Sequence, residues 1–283
     1  MREDRASRTA EYMAMHRAAH QLLDAPTILD DPFASIVVDP RFARALHADP
    51  ESARWSLTPS RRAFLAARSR YAEDQLARAV GQGCTQYVVL GAGFDTFFLR
   101  RKHAALTVFE IDHPATQATK LARLRDAGVS VPAHVCFYAA DFTRQSLGEI
   151  LREAGVDPAQ RLFVSWLGVA QYLTPDIVRA ALSDIASFAP HVEIVFDYTL
   201  HYDLQNSAQR LVFETGRRLA EWENEPFRSM FTPNEIVGLC HESGFSEART
   251  ASVEALNALY CSRAESNLKI ESINQMVFAR AFA

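Results

Sequence analysis

Three short stretches of the sequence end in residues that could do chemistry. The first is VVLGAGFDT, in which Gly91, Ala92 and Gly93 follow an apolar run. Glycines there allow a tight turn and let a ligand approach the backbone closely. The second is VFEID, an apolar run closing on Glu110 and Asp112. A carboxylate at that place is suited to accept hydrogen bonds from ribose hydroxyls. The third is AADF, where Asp141 stands beside Phe142. The acid can accept from the amino group of an adenine, and the ring offers it an apolar face. Taken singly, each acid is equally well explained as a helix cap or a loop end. Three in series, each at the end of a strand, point instead to a cradle for a nucleoside ligand. A dinucleotide fingerprint would place a third glycine three residues after Gly93, where this chain has Thr96. That disfavours NAD.

A second tier of residues suits an acceptor. Tyr12, His16 and His20 recur at four-residue spacing, so they share one face of a helix, with Arg17 beside them to pair with an acidic substrate. His16 and His20 also have the spacing of two zinc ligands. The glutamate of the H-E-x-x-H pattern is missing and no third ligand is evident, so no metal is expected. The run FDYTLHYD at 196–203 offers Asp197, Tyr198, His201 and Tyr202. His201 is a candidate base, since an unperturbed imidazole titrates near about 6.5. A solvated loop histidine is the plainer reading of the same residue. Tyr172 is expected to face the cofactor or the acceptor, although a packed core tyrosine would look the same. Trp222 and Phe227 are candidates for an apolar lid.

These residues need elements to hold them. Short apolar runs at 86–90, 107–112, 134–141, 161–168 and 192–198 alternate with helical segments, among them 114–127 and 175–188. That alternation predicts a parallel sheet covered on both faces. FSEARTASV and NQMVFARAF can close the sheet as a final pair. Residues 1–80 read as helical, broken at several X-Pro steps and ending in a longer helix from Arg61 to Val80. The expected division is a helical cap at 1–80 and an α/β core at 81–283, with a lid inserted at about 199–231. Thr232, Pro233 and Glu235 mark a helix start.

At these motifs the chain resembles the leucine carboxyl methyltransferase-like branch of class I S-adenosylmethionine-dependent methyltransferases. The resemblance runs through RTAEYMAMHRAAH at 8–20, DDPFA at 30–34, AARSRYAED at 66–74 and YVVLGAGFDTFFLR at 87–100. It continues through VFEIDHPATQATK at 108–120, AADF, LGVAQYLT at 167–174, IVFDYT at 194–199, EPFRSMFTPNEI at 225–236 and ESGF at 242–245. It implies a Rossmann-like, mostly parallel sheet of seven strands with one antiparallel strand and a helical N-terminal lid. It also implies that Arg68 holds the carboxylate of the cofactor, with Arg70 the alternative two residues on. A guanidinium fork suits that task, because it can make two charge-assisted hydrogen bonds at once. Gly91 and Gly93 would lie under the methionine part, Asp112 on the ribose, and Asp141 and Phe142 on the adenine. Asp95, Glu110 and Leu167 complete the cofactor set. One departure stands out: many relatives carry Glu-Gly after the fourth strand, where this chain has Leu167-Gly168.

Methyl transfer from a sulfonium is an in-line displacement. The protein must align the nucleophile, the methyl carbon and the sulfur, and keep water out. A carboxylic acid, with a pKa of about 4, is already ionised at neutral pH and needs no base; a phenol, at about 10, does. The expected activity is O-methylation of a small carboxylate or hydroxyl compound, as in secondary metabolism. The alternatives are an idle S-adenosylmethionine-binding protein and an NAD-dependent oxidoreductase.

Composition bounds the rest. Of 283 residues, 48% are hydrophobic and 23% charged, enough to bury a substantial core. A net charge of −4 gives no reason to expect a nucleic-acid or membrane partner. The charged N-terminus lacks the apolar stretch of a signal peptide, so a cytoplasmic protein is expected. The four cysteines are scattered, with no C-x-x-C pair, and read as reduced thiols. Oligomeric state leaves no mark in the sequence.

Overall fold

The structure, a computed structural model, describes residues 6–54, 56–100, 105–142, 145–222, 226–262 and 268–282, without the side chains of Leu219 and Trp222. Three helices precede the first strand: α1 (Arg8–Leu23), α2 (Pro40–Ala48) and α3 (Pro59–Gly81). Then follow β1 (Gln86–Leu90), α4 (Phe97–Arg100), β2 (Thr107–Asp112), α5 (Pro114–Asp126) and β3 (Val135–Ala139). The second half holds α6 (Leu147–Glu153), β4 (Leu162–Trp166), α7 (Pro175–Ala186), β5 (His191–Thr199) and α8 (Ser207–Trp222). It closes with α9 (Pro233–Glu242), β6 (Glu247–Ala251), α10 (Val253–Tyr260) and β7 (Asn274–Phe282).

The seven strands form one sheet in the order β3-β2-β1-β4-β5-β7-β6. β7 alone runs antiparallel, inserted between β5 and β6. The chain moves outward from β1 to β3, then returns to β4 on the other side of β1. That reversal opens a crevice at the carboxyl ends of β1 and β4, the usual place for a ligand in such sheets.

Strand alternation explains why the runs are apolar throughout. Tyr87 and Val89 of β1 point to one face and pack with α1 and α3; Val88 and Leu90 point to the other and pack with α6, α7 and α9. Both faces of the sheet are thus covered at its central strands β1 and β4. The N-terminal helices belong to this packing: Ala14, Ala18, Ala63, Phe64 and Ala67 share a cluster with Tyr87, Val89 and Val195. Helices α1 and α3 therefore cover a sheet face as well as the site.

Helix starts follow their capping chemistry. Thr232 and Glu235 form a reciprocal capping box at α9, with Pro233 at the first helical position. Ser7 caps α1 by accepting the Ala10 N–H at 3.1 Å. No described helix is long and apolar enough to cross a membrane.

Candidate functional site

The turn after β1 is built from two residues in left-handed backbone conformation, Gly91 at φ +64° and Gly93 at φ +51°. A side chain at Gly91 would also collide with Val169, its Cβ falling 2.5 Å from Cγ2. The Gly93 N–H donates to Asp112 Oδ2, and the His113 N–H donates to Oδ1 at 2.5 Å. The acid ending β2 is thereby locked against the turn ending β1. Burial raises the Asp112 pKa above the ordinary carboxylate value, with the two backbone donors opposing it.

These groups open onto a cavity of about 1070 Å³ at the carboxyl ends of the strands. Single-ligand pockets span roughly 300–1,000 Å³, so this one has room for a nucleoside cofactor and an acceptor together. Asp141 and Phe142 line it from the end of β3, and Leu167, Gly168 and Tyr172 from the segment after β4. Arg68 lines it from the middle of α3, with its guanidinium packed against Gly168. Arg70 turns outward instead and pairs with Asp74 at 2.8 Å, so Arg68 is the arginine of the pair that faces the site.

The α1 side is more tied than the sequence suggests. Arg17 lines the cavity, yet its Nη2 donates to Asp31 at 3.1 Å and to Thr96 Oγ1 at 2.7 Å, and its Nη1 lies 3.8 Å from Asp95. It clamps α1 to the glycine-rich turn and is not a free cation awaiting an acidic substrate. Asp95 caps α4 by accepting the Phe97 N–H at 2.7 Å. Burial works to raise its pKa, but Arg17, Lys120 and Arg100 together hold it below the ordinary value. Tyr12 lines the cavity, and its hydroxyl donates to the Ser56 carbonyl at 3.2 Å.

Several expected site residues lie elsewhere. Glu110 shares the face of Asp112, but one strand pleat, about 7 Å, deeper. It is fully buried in an ion pair with Lys120 and does not line the cavity. His16 and His20 do share a face, but below Tyr12 that face turns into the core. His16 bonds the Tyr12 carbonyl through Nδ1 at 2.9 Å, and burial pulls its pKa down to about 4. His20 bonds Asp24 through Nδ1 at 2.9 Å and accepts the Ile28 N–H at Nε2, so both its ring nitrogens are in use. Tyr198 points away from the cavity, because strand alternation sends it to the opposite face from Asp197; its hydroxyl donates to Gln275 at 2.8 Å. His201 caps the short turn Tyr202–Leu204, its side chain is 39% exposed, and it lies outside the cavity lining. The Trp222 side chain lies outside the described residues. Phe227 does line the cavity, with its ring 5.7 Å from Tyr172 and against Gly216 of α8.

Of the candidates in FDYTLHYD, Asp197 does line the cavity, while three further lining residues escaped a one-dimensional reading. Asp197 was visible as a polar residue ending an apolar strand, and its two-residue spacing from Val195 fixes the face it takes. Gln171, Asn274 and Arg61 gave no signal, since each is drawn to the cavity by contacts distant in sequence. Arg61 meets the Tyr12 ring at 6.0 Å. The lining as a whole fits a nucleoside bearing an amino-acid tail: a backbone cradle that a Cβ would fill at Gly91, a buried acid beside it, and a guanidinium opposite.

Comparison with known proteins agrees. The family description of leucine carboxyl methyltransferases matches residues 10–186. YktD of Bacillus subtilis (strain 168), named for S-adenosyl-L-methionine-dependent methyl transfer, is 32% identical, with 95% of each chain covered. Among solved structures, a methyltransferase fold from Thermobifida fusca YX superposes with a TM-score of 0.58 over 94% of each chain at 16% identity. Magnesium protoporphyrin IX methyltransferase from Synechocystis PCC 6803, with S-adenosylhomocysteine bound, gives a TM-score of 0.50 over 85% of this chain and 98% of that one at 13% identity. With S-adenosylmethionine as its cofactor, the chain belongs to the leucine carboxyl methyltransferase family of class I methyltransferases.

Proposed function

We propose that this methyltransferase transfers the methyl group to an oxygen of a small molecule, a carboxylate or a hydroxyl, with a carboxylate favoured. The observation that carries the reading is a cavity at the strand ends whose lining joins the cofactor-type residues to apolar residues of α8 and of the segment after β4. Gly91 and Gly93 would lie under the amino-acid part, Asp112 would accept from the ribose, Asp141 and Phe142 would hold the adenine, and Arg68 would take the carboxylate. When bound, the cofactor supplies an electrophilic methyl group on a sulfonium.

The acceptor compartment lies between α8 and the segment from Leu167 to Ile177. Val212, Gly216, Phe227, Tyr172 and Leu173 give it mostly apolar walls. The N-terminal helices and the 199–231 segment act as cap and lid, excluding water so that the nucleophile is not diluted by it. Two cations on the lining, Arg61 and Arg228, have no carboxylate partner among the described residues. They suit an anionic acceptor, and an ionised carboxylate needs no base. Tyr12 and Tyr172 add hydroxyl groups to the same lining.

A labelled-methyl assay against matched carboxylic acids, phenols, amines and thiols tests this directly. Label on a carboxylic acid supports the reading; label found only on nitrogen or sulfur acceptors contradicts it. A thermal-shift comparison of S-adenosylhomocysteine with NAD separates it from a redox function, because a ligand that binds the native state raises the melting temperature.

A further inference from the structure

We propose that Asp197 is the positioning residue that sets Arg68 for the cofactor's carboxylate and links that contact to the acceptor end of the cavity. The inference rests on the reading of Arg68 given above.

Asp197 is fully buried, and three donors converge on its carboxylate. Gly168 N–H donates to Oδ1 at 2.5 Å, Asn274 Nδ2 donates to Oδ2 at 3.3 Å, and Arg68 Nη1 reaches Oδ2 at 3.5 Å. Sheet register explains the place. Trp166 of β4 pairs with Phe196 of β5, so Asp197 stands beside Leu167, at the level where β4 ends. β4 brings no acid there, and β5 supplies one from the neighbouring strand.

A buried carboxylate held by two neutral donors is a fixed negative point. It orients the guanidinium through one amino group and leaves the other N–H donors of Arg68 free for a ligand carboxylate. Asp197 also lowers the cost of keeping that cation out of water before the ligand arrives. The same carboxylate reaches the acceptor compartment: Asn274 Nδ2 also donates to Gln171 Oε1 at 2.7 Å, and the Gln171 carbonyl accepts the Arg228 N–H at 2.8 Å. Phe227, on the acceptor wall, immediately precedes Arg228.

Two ligands separate positioning from general support. S-adenosylhomocysteine carries the amino-acid carboxylate, whereas methylthioadenosine has the nucleoside and the sulfur without it. In calorimetric titrations of the full chain, Asp197→Asn is expected to weaken S-adenosylhomocysteine about tenfold or more, the usual scale for a charge-assisted contact. Methylthioadenosine affinity should stay within about twofold. In an Arg68→Ala background, Asp197→Asn should add less than about twofold, since its effect runs through the arginine. Equal losses for both ligands, no loss for either, or a full additional loss in the Arg68→Ala background would overturn the proposal. If Asp197→Asn does not fold, Asn274→Ala carries the test: an S-adenosylhomocysteine-selective loss supports the proposal, and an unselective or absent one contradicts it. Failure of the wild-type chain to bind either ligand would instead reject the cofactor assignments themselves.

Discussion

Thr96 Oγ1 donates to Asp31 Oδ2 at 2.6 Å while accepting from Arg17 Nη2 at 2.7 Å. The position that a dinucleotide-binding turn reserves for glycine is therefore used here as a buried peg. It fastens the turn after β1 to α1 and to the loop that carries Asp31. Arg100 reaches the same carboxylate at 3.3 Å from α4.

Thr96→Val should break this fastening at little change in volume. It leaves buried polar groups short of a partner, a loss of roughly 1–3 kcal/mol. Chemical denaturation should show that drop. Thr96→Gly should lose stability as well and gain no NAD binding, as judged by the absence of an NAD-induced thermal shift. A shift with NAD would mean that the residue type alone selects the cofactor.

Gly91→Ala combines a left-handed backbone with a direct clash against Val169. The variant should be destabilised by about 1 kcal/mol or more. Its affinity for S-adenosylhomocysteine should fall at least about tenfold, because the turn must shift to seat the methyl group. Calorimetry of the folded variant checks this; unchanged affinity would show that the ligand does not lie on this turn.

His201→Ala should leave turnover of any acceptor found by the labelled-methyl assay within about twofold, the change expected for an exposed side chain off the reaction path. A loss of two or more orders of magnitude, the range for removing a general base, would instead identify it as a base.

Burial lowers the folded-state pKa of His16 to about 4, against 6.5 for the free side chain. Between those values the unfolded chain binds a proton that the folded chain refuses. Stability from this group is therefore complete above pH 6.5 and is lost as pH falls toward 4. The span corresponds to roughly 3 kcal/mol at most. His16→Gln should flatten this part of the stability–pH curve without altering S-adenosylhomocysteine affinity. An unchanged slope in denaturation series across that window would contradict the assignment.

Much of the fold was legible because it rests on local signals. Apolar runs, glycine-rich turns and capping residues mark β1 to β5 and α9, and each is read within a few residues. That Asp112, Asp141 and Phe142 line one cavity was legible for the same reason: they sit at strand ends, where chain direction fixes what they face. The acceptor end was not. Side-chain direction at Tyr198, and the burial of His16 and His20, depend on which face of an element meets the core, which neighbours far along the chain decide. Glu110 shows the limit within a single strand. It shares a face with Asp112, but depth places it with Lys120 and out of the cavity. Asn274 and Gln171 meet only because β7 inserts beside β5.

The most direct test of the central claim is a crystal structure of the chain with S-adenosylhomocysteine. The account predicts the ligand in the strand-end cavity, its ribose on Asp112, its adenine between Asp141 and Phe142, and its carboxylate on Arg68. Density for the ligand anywhere else, or a ribose with no contact to Asp112, would contradict it.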